Sequence, residues 1–141
     1  MRQSFRLPIR VYIEDTDAGG IVFYVNYLKF MERARTEWLR SCGYQHYVLA
    51  EEDFQFVVHS CNVRYLRSAT VDDQLLVSAD IVQPGRATLN FHQQVWRNDE
   101  LLCEAEVKVA CVSAATRKPK AMPKSLYESI QRAINEENLN G

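Results

Sequence analysis

The sequence predicts an α+β protein with one antiparallel sheet. Three observations carry that prediction. Four segments of alternating polarity follow one another between residues 54 and 111 with only short turn signals between them, and strands joined so closely pair antiparallel. One long segment, residues 26–42, repeats apolar side chains at steps of three and four, the period of an α-helix. The alternation leaves the sheet with an apolar face that needs cover, and this helix can supply it. The order is β-α-β-β-β-β-α, and the 141 residues are read as one domain, 1–141.

Phe5, Leu7, Ile9, Val11 and Ile13 alternate with polar or small residues, the pattern of a half-buried strand. Pro8 confines that strand to an edge or a start, because proline cannot donate to a ladder. Asn26 is read as the N-cap of the long helix. Tyr27, Phe30, Met31, Ala34 and Trp38 share its apolar face, with Leu28, Arg35 and Leu39 flanking, and Gly43 stands where a left-handed residue ends a helix. The aromatic stripe is read as core packing. Residues 44–53 read as a loop or a short helix.

Phe54, Phe56 and Val58 share one parity and Cys61, Val63 and Tyr65 the other, which predicts a bulge near His59 and Ser60. Leu75, Val77, Ala79 and Ile81 alternate, and Pro84-Gly85 marks a turn. Ala87, Leu89, Phe91 and Val95 form the next strand, and Arg97-Asn98-Asp99-Glu100 a hairpin turn. Leu101, Cys103, Ala105, Val107, Val109 and Cys111 give the cleanest alternation in the chain. Pro123 opens a short C-terminal helix with Leu126, Ile130, Ala133 and Ile134 on one side.

Composition removes several function classes. The formal net charge is -1, so bulk electrostatics give no argument for nucleic acid or a membrane surface. The first eight residues hold no apolar core of signal-peptide length. No run approaches the ~20 apolar residues of a membrane span, and a cytoplasmic protein without membrane insertion is expected. The four cysteines show no CxxC pair and no histidine at zinc spacing, so they are read as buried thiols, and no metal or cofactor is expected.

The candidate chemistry lies in Glu14-Asp15-Thr16-Asp17-Ala18-Gly19-Gly20-Ile21-Val22-Phe23-Tyr24-Val25-Asn26-Tyr27. Carboxylates and a Gly-Gly pair sit between a strand and a helix start. A helix start has backbone N–H groups with no partner within the helix, and it favours negative charge. A carboxylate facing such N–H groups across a small gap can attack, or activate water to attack, a polarised carbonyl. Residues 14, 15 and 17 all compete for that role.

The run Asp15-Thr16-Asp17-Ala18-Gly19-Gly20-Ile21-Val22-Phe23-Tyr24-Val25-Asn26-Tyr27, followed by Glu32-Arg33-Ala34-Arg35-Thr36-Glu37, resembles the signature of hot-dog-fold acyl-CoA thioesterases. It is most similar to the YbgC-type group found with the Tol-Pal system, and next to 4-hydroxybenzoyl-CoA thioesterases. The resemblance implies a hot-dog fold, an antiparallel sheet wrapped around one long helix. It implies hydrolysis of a short- to medium-chain or aromatic acyl-CoA, with Asp17 as nucleophile or general base and the backbone N–H of Tyr24 polarising the thioester. Gly19 and Gly20 would let the substrate approach, and Val25 would line the site. The YbgC-type group typically has His where this chain has Tyr24, and often Tyr where it has Ile13. A backbone role survives that change. A side-chain acid–base role would not carry over, since Tyr titrates near ~10 and His near ~6.5.

The resemblance also implies a homo-oligomer, a dimer or a tetramer, with Asp17 of one subunit facing residues near Val57, Val58 and His59 of another. Arg64, Arg67, Arg86, Arg117, Lys118 and Lys120 are candidates to rim the CoA phosphates, Arg86 foremost because it follows a turn where related enzymes bind the nucleotide. No catalysis is placed on His46, His59 or His92. The alternative is a non-catalytic module that binds acyl chains or acyl carrier protein near the cell envelope. A hydratase is disfavoured, because the His-bearing motif of those families is not visible.

Overall fold

A computed structural model describes residues 5–44 and 53–140, with residue 83 and residues 138–140 described by their backbone only. The elements are β1 (Phe5–Arg10), a 3-10 turn (Ile13–Asp15), α1 (Val25–Ser41), β2 (Gln55–Tyr65), β3 (Gln74–Pro84), β4 (Thr88–Arg97), β5 (Glu100–Val112) and α2 (Lys124–Asn140). All five strands join one antiparallel sheet in the order β1-β3-β4-β5-β2. The antiparallel α+β reading holds, and the edge position that Pro8 demanded is where β1 lies. The expected segment around His46 falls outside the described residues.

The central helix buries the face that its spacing marked. Tyr27, Phe30, Met31, Ala34 and Trp38 are all buried, against β1, β3 and β4. Its ends differ in how they matched expectation. Gly43 is left-handed at φ +97°, and the Tyr44 N–H folds back to the Leu39 carbonyl at 2.9 Å, a closure that favours glycine. Asn26, however, is not the N-cap. The helix begins at Val25 after Tyr24, and the Asn26 side chain donates instead to the Asp15 carbonyl at 2.8 Å. The amide is employed between elements, where a cap would have employed it within one.

The sheet confirms the bulge in β2. Val58 pairs with Val109 and Ser60 with Lys108, so His59 is the extra residue. The bulge lets Phe56 and Val58 share the helix-side face with Cys61, Val63 and Tyr65, because all five pair with the inward residues of β5. A second register shift in β5 changes one expectation. Val95 pairs with Cys103 and Trp96 with Leu101, which leaves Leu102 fully buried in the place predicted for Leu101.

Three further expectations are corrected. The first strand ends at Arg10, and Ile13 stands 79% exposed in the 3-10 turn, because the Asp15 carboxylate accepts the Tyr12 N–H at 2.9 Å and turns the chain out of the sheet. The C-terminal helix is as long as α1, 17 residues each. It carries Leu126 and Ile130 into the core, and the Trp38 indole donates to Glu137 at 2.9 Å. Finally, Cys42, Cys103 and Cys111 are buried but Cys61 is exposed on β2. Burial pushes the Cys42 thiol up to about 11, and Cys103 and Cys111 up to about 12.

Candidate active site

The acidic stretch folds as a small hairpin. The Phe23 N–H donates to the Asp15 carbonyl at 3.0 Å, Thr16 bridges Val22, and the Asp17 N–H donates to the Ile21 carbonyl at 2.9 Å. Gly20 closes the turn at φ +84°, a conformation that side chains resist. A Cβ on Gly19 would come within 3.3 Å of Asp17 Oδ1. The Gly19 N–H donates to that same oxygen at 2.9 Å. One carboxylate oxygen of Asp17 is thereby oriented, and the other accepts no hydrogen bond among the described residues. Asp17 is exposed and makes no ion pair among the described residues.

The hairpin is tied to the body on two sides. Ile21 bridges Thr70, and the Val22 N–H donates to the Ala69 carbonyl at 2.9 Å. The Ala69 N–H in turn donates to the Tyr27 hydroxyl at 2.9 Å. From the other side, Asn26 holds the Asp15 carbonyl. The residues that follow Ile21 therefore enter α1 in a fixed position relative to the turn that bears Asp17.

At that entry Tyr24 already has helical backbone angles, φ -55° and ψ -31°. The Asn26 N–H turns back to Phe23 and the Tyr27 N–H to Tyr24. The Tyr24 and Val25 N–H groups have no hydrogen-bond partner among the described residues. They are the free donors expected at a helix start. The Tyr24 ring is 58% exposed and meets Phe23 at 5.0 Å and the edge of Tyr65 at 5.8 Å between centroids. Tyr65 lies at the end of β2, so three aromatic rings border the donors.

The competition among the carboxylates narrows here. Asp15 is occupied by the Tyr12 N–H and serves the 3-10 turn, and Glu14 is exposed outside the hairpin pairing. Val58 and His59 are exposed at mid-length on β2, whose outer edge has no strand beside it among the described residues. Arg86 is not brought to Asp17. The hairpin adjoins the residues just before β3, where Ile21 bridges Thr70 and Val22 bonds Ala69, while Arg86 follows the end of that strand. Eleven residues of strand, about 36 Å at ~3.3 Å per residue, separate the two. Arg86 stacks over the Tyr127 ring at 5.3 Å. Arg64 and Arg67 pair with Glu104 and Glu100, Lys120 binds the Asp53 carbonyl, and Arg117 and Lys118 are exposed.

The sequence profile of the thioesterase-like superfamily matches residues 11–130. The chain belongs to that superfamily, in its YbgC-type group. It is 45% identical over 124 residues to the acyl-CoA thioesterase YbgC of Haemophilus influenzae, covering 87% of this chain and 91% of that one. It is 44% identical over 129 residues to the acyl-CoA thioester hydrolase YbgC of Escherichia coli O6:H1, covering 91% and 96%. A probable thioesterase from Bartonella henselae is similar in structure, with a TM-score of 0.76 at 30% identity, over 86% of this chain and all of that one. The hot-dog arrangement that the motif implied is thus the fold of this YbgC-type thioesterase.

Sequence reasoning passed over one feature of its interior. Arg35 and Gln93 are buried at 9% and 0% exposure and bonded to each other. The signal was available in β4, where Gln93 occupies the core parity of Leu89, Phe91 and Val95.

Proposed function

We propose that this thioesterase hydrolyses acyl-CoA thioesters, with Asp17 as the catalytic carboxylate and the Tyr24 backbone N–H on the carbonyl oxygen. One observation carries the reading. A hairpin that presents a half-committed carboxylate is fastened to a helix start whose Tyr24 and Val25 N–H groups have no partner among the described residues. A thioester carbonyl needs that pair of functions. The donor stabilises charge as it develops on oxygen, and the carboxylate attacks carbon or takes a proton from attacking water. A single donor of this kind contributes roughly 10²–10³ in rate. The chemistry is assigned to protein groups without a metal or cofactor.

The acyl group is read as short- to medium-chain or aromatic, consistent with the aromatic border of Phe23, Tyr24 and Tyr65. The exposed edge of β2 supports a homodimer or tetramer in which Val58 and His59 approach the hairpin of a second copy, and Gly19, Gly20 and Val25 border the substrate. Arg86 would reach the nucleotide only from a second copy. The test is a panel of acyl-CoA esters of varied chain length, read by release of free thiol. Turnover of at least one ester is expected, and its loss in Asp17→Asn with unchanged circular dichroism. Binding of acyl-CoA without turnover of any ester would overturn the hydrolase reading in favour of an acyl-binding module.

A further inference from the structure

Between α1 and the first half of β2 lies a cavity of about 220 Å³. Leu39, Tyr44, Phe56 and Val58 make much of its lining apolar, and Arg35 lies in its wall. Arg35 is nine-tenths buried. Its guanidinium cannot swing away, because Nη1 donates to Gln93 Oε1 at 2.9 Å. Gln93 is itself fixed, donating through Nε2 to the Met31 carbonyl at 2.9 Å and the Ser78 carbonyl at 3.1 Å. The guanidinium is therefore anchored on one side by Gln93, whose own amide is fully bonded from helix to sheet.

What that network lacks is a countercharge. Gln93 is neutral, and no carboxylate lies within 4.0 Å of Arg35 among the described residues. Glu32 lines the same cavity but is exposed to water at its mouth, acting on Arg35 only through space. A guanidinium stays charged and carries five N–H donors. A buried charge without a partner is costly, and such charges are normally paired. Burial depresses the Arg35 pKa, and Glu32 and Cys61 offset that only in part.

We infer that this cavity is an acyl-group subsite in which Arg35 receives a carboxylate at the far end of the acyl chain, so that the preferred substrates are thioesters of short dicarboxylic acids. The inference rests on the proposed hydrolysis and on Val58 standing at the mouth of the cavity, where the hairpin of a second copy would deliver the thioester. The cavity has room for roughly seven water-sized groups at ~30 Å³ each, which suits a chain of about five carbons ending in a carboxylate. Its apolar walls receive the methylenes, and the fork of Arg35 receives the anion.

The test compares glutaryl-CoA with pentanoyl-CoA, equal in chain length and different in terminal charge. The wild type is expected to prefer glutaryl-CoA in kcat/KM by roughly tenfold or more. Arg35→Met should remove most of that ratio, chiefly through the KM for glutaryl-CoA, and Arg35→Lys should keep part of it. A wild-type ratio at or below unity overturns the inference, as does a ratio that Arg35→Met leaves intact. A change of oligomeric state in Arg35→Met with the ratio intact would mean that a second copy supplies the countercharge, which also overturns it. If Arg35→Met does not fold, the Lys variant and the wild-type ratio still decide. If neither ester turns over, the chain-length panel decides the hydrolase reading separately. Calorimetric binding of the two esters then decides the subsite, with tighter glutaryl-CoA binding in its favour and equal binding against it.

Discussion

Two aspartates two residues apart do different work here, and the difference lies in which N–H each one meets. Asp15 turns back onto Tyr12 and shapes the 3-10 turn, while Asp17 takes a single bond from Gly19 and keeps an oxygen open. Replacing Asp17 by Asn preserves the bond from Gly19 and removes the carboxylate proposed as base or nucleophile. The kcat of the best substrate is expected to fall by about three orders of magnitude or more, with the melting temperature unchanged. Asp15→Asn retains an acceptor for Tyr12 and should be the milder change by thiol-release kinetics. The reverse order of severity would move the catalytic assignment. The family resemblance favours Asp17 within the Asp-Thr-Asp triplet, and the hairpin adds the hydrogen bonds in which the two differ, because identical side chains carry no mark of the N–H they will meet.

At the scale of elements, the entry to α1 is where the proposed mechanism places its oxyanion donor. Tyr24→Phe removes a hydroxyl from an exposed ring, whereas Tyr24→Pro removes the N–H assigned to the carbonyl oxygen. The Phe variant should keep most of its kcat/KM and the Pro variant should lose roughly 10²-fold or more, with circular dichroism confirming the fold of each. A loss in Phe equal to that in Pro would transfer the role to the side chain. A second junction makes a pH-dependent contribution. Asp53, at φ +52° just before β2, accepts from the Ser113 hydroxyl at 2.6 Å and the Ala115 N–H at 2.8 Å. The Ser113 hydroxyl, and then the Ala115 N–H, hold its carboxyl below the ordinary value of 3.8. A carboxyl depressed on folding stabilises the fold above its unfolded value and loses that contribution as pH falls from 3.8 through the lower folded value. Asp53→Asn should therefore be less stable than wild type near neutral pH, and the gap should close below that window in urea titrations. The helix stripe and the strand alternations were legible because burial imposes periods of 3.6 and 2 on the residues themselves. The helix start was not, since Asn26 suits a cap and an interelement bond equally well.

For the molecule as a whole, the long flank of β2 is the unfinished part. Its outer edge has no strand beside it among the described residues, and Val58 is 55% exposed on the helix-side face. Such an edge invites pairing with another chain. Sedimentation at micromolar concentration is expected to give a dimer or tetramer, and Val58→Lys should dissociate it and abolish turnover together. An active monomer would show that one chain holds the complete site. Distance explains why Arg86 could be named from the sequence but not placed. A turn signal fixes a residue at the end of a strand, and only the sheet order and the direction of β3 reveal that this end lies far from Asp17.

The extra residue at His59 has a consequence for how β2 tolerates change in length. The strand is two half-strands, both in phase against β5, with a single inserted position between them. Removing that position would leave a regular ladder with the pairing of both halves unchanged, because Val58 would still face Val109 and the next residue would still face Lys108. Phe56, Val58, Cys61, Val63 and Tyr65 would all keep their side of the sheet. What would be lost is the bend and the added twist that a bulge gives its strand. A residue removed from within one paired half would instead put that half out of phase with β5. At residue 59 the chain can therefore change in length or in side chain and keep its frame, and the two changes differ in whether the strand keeps its bend.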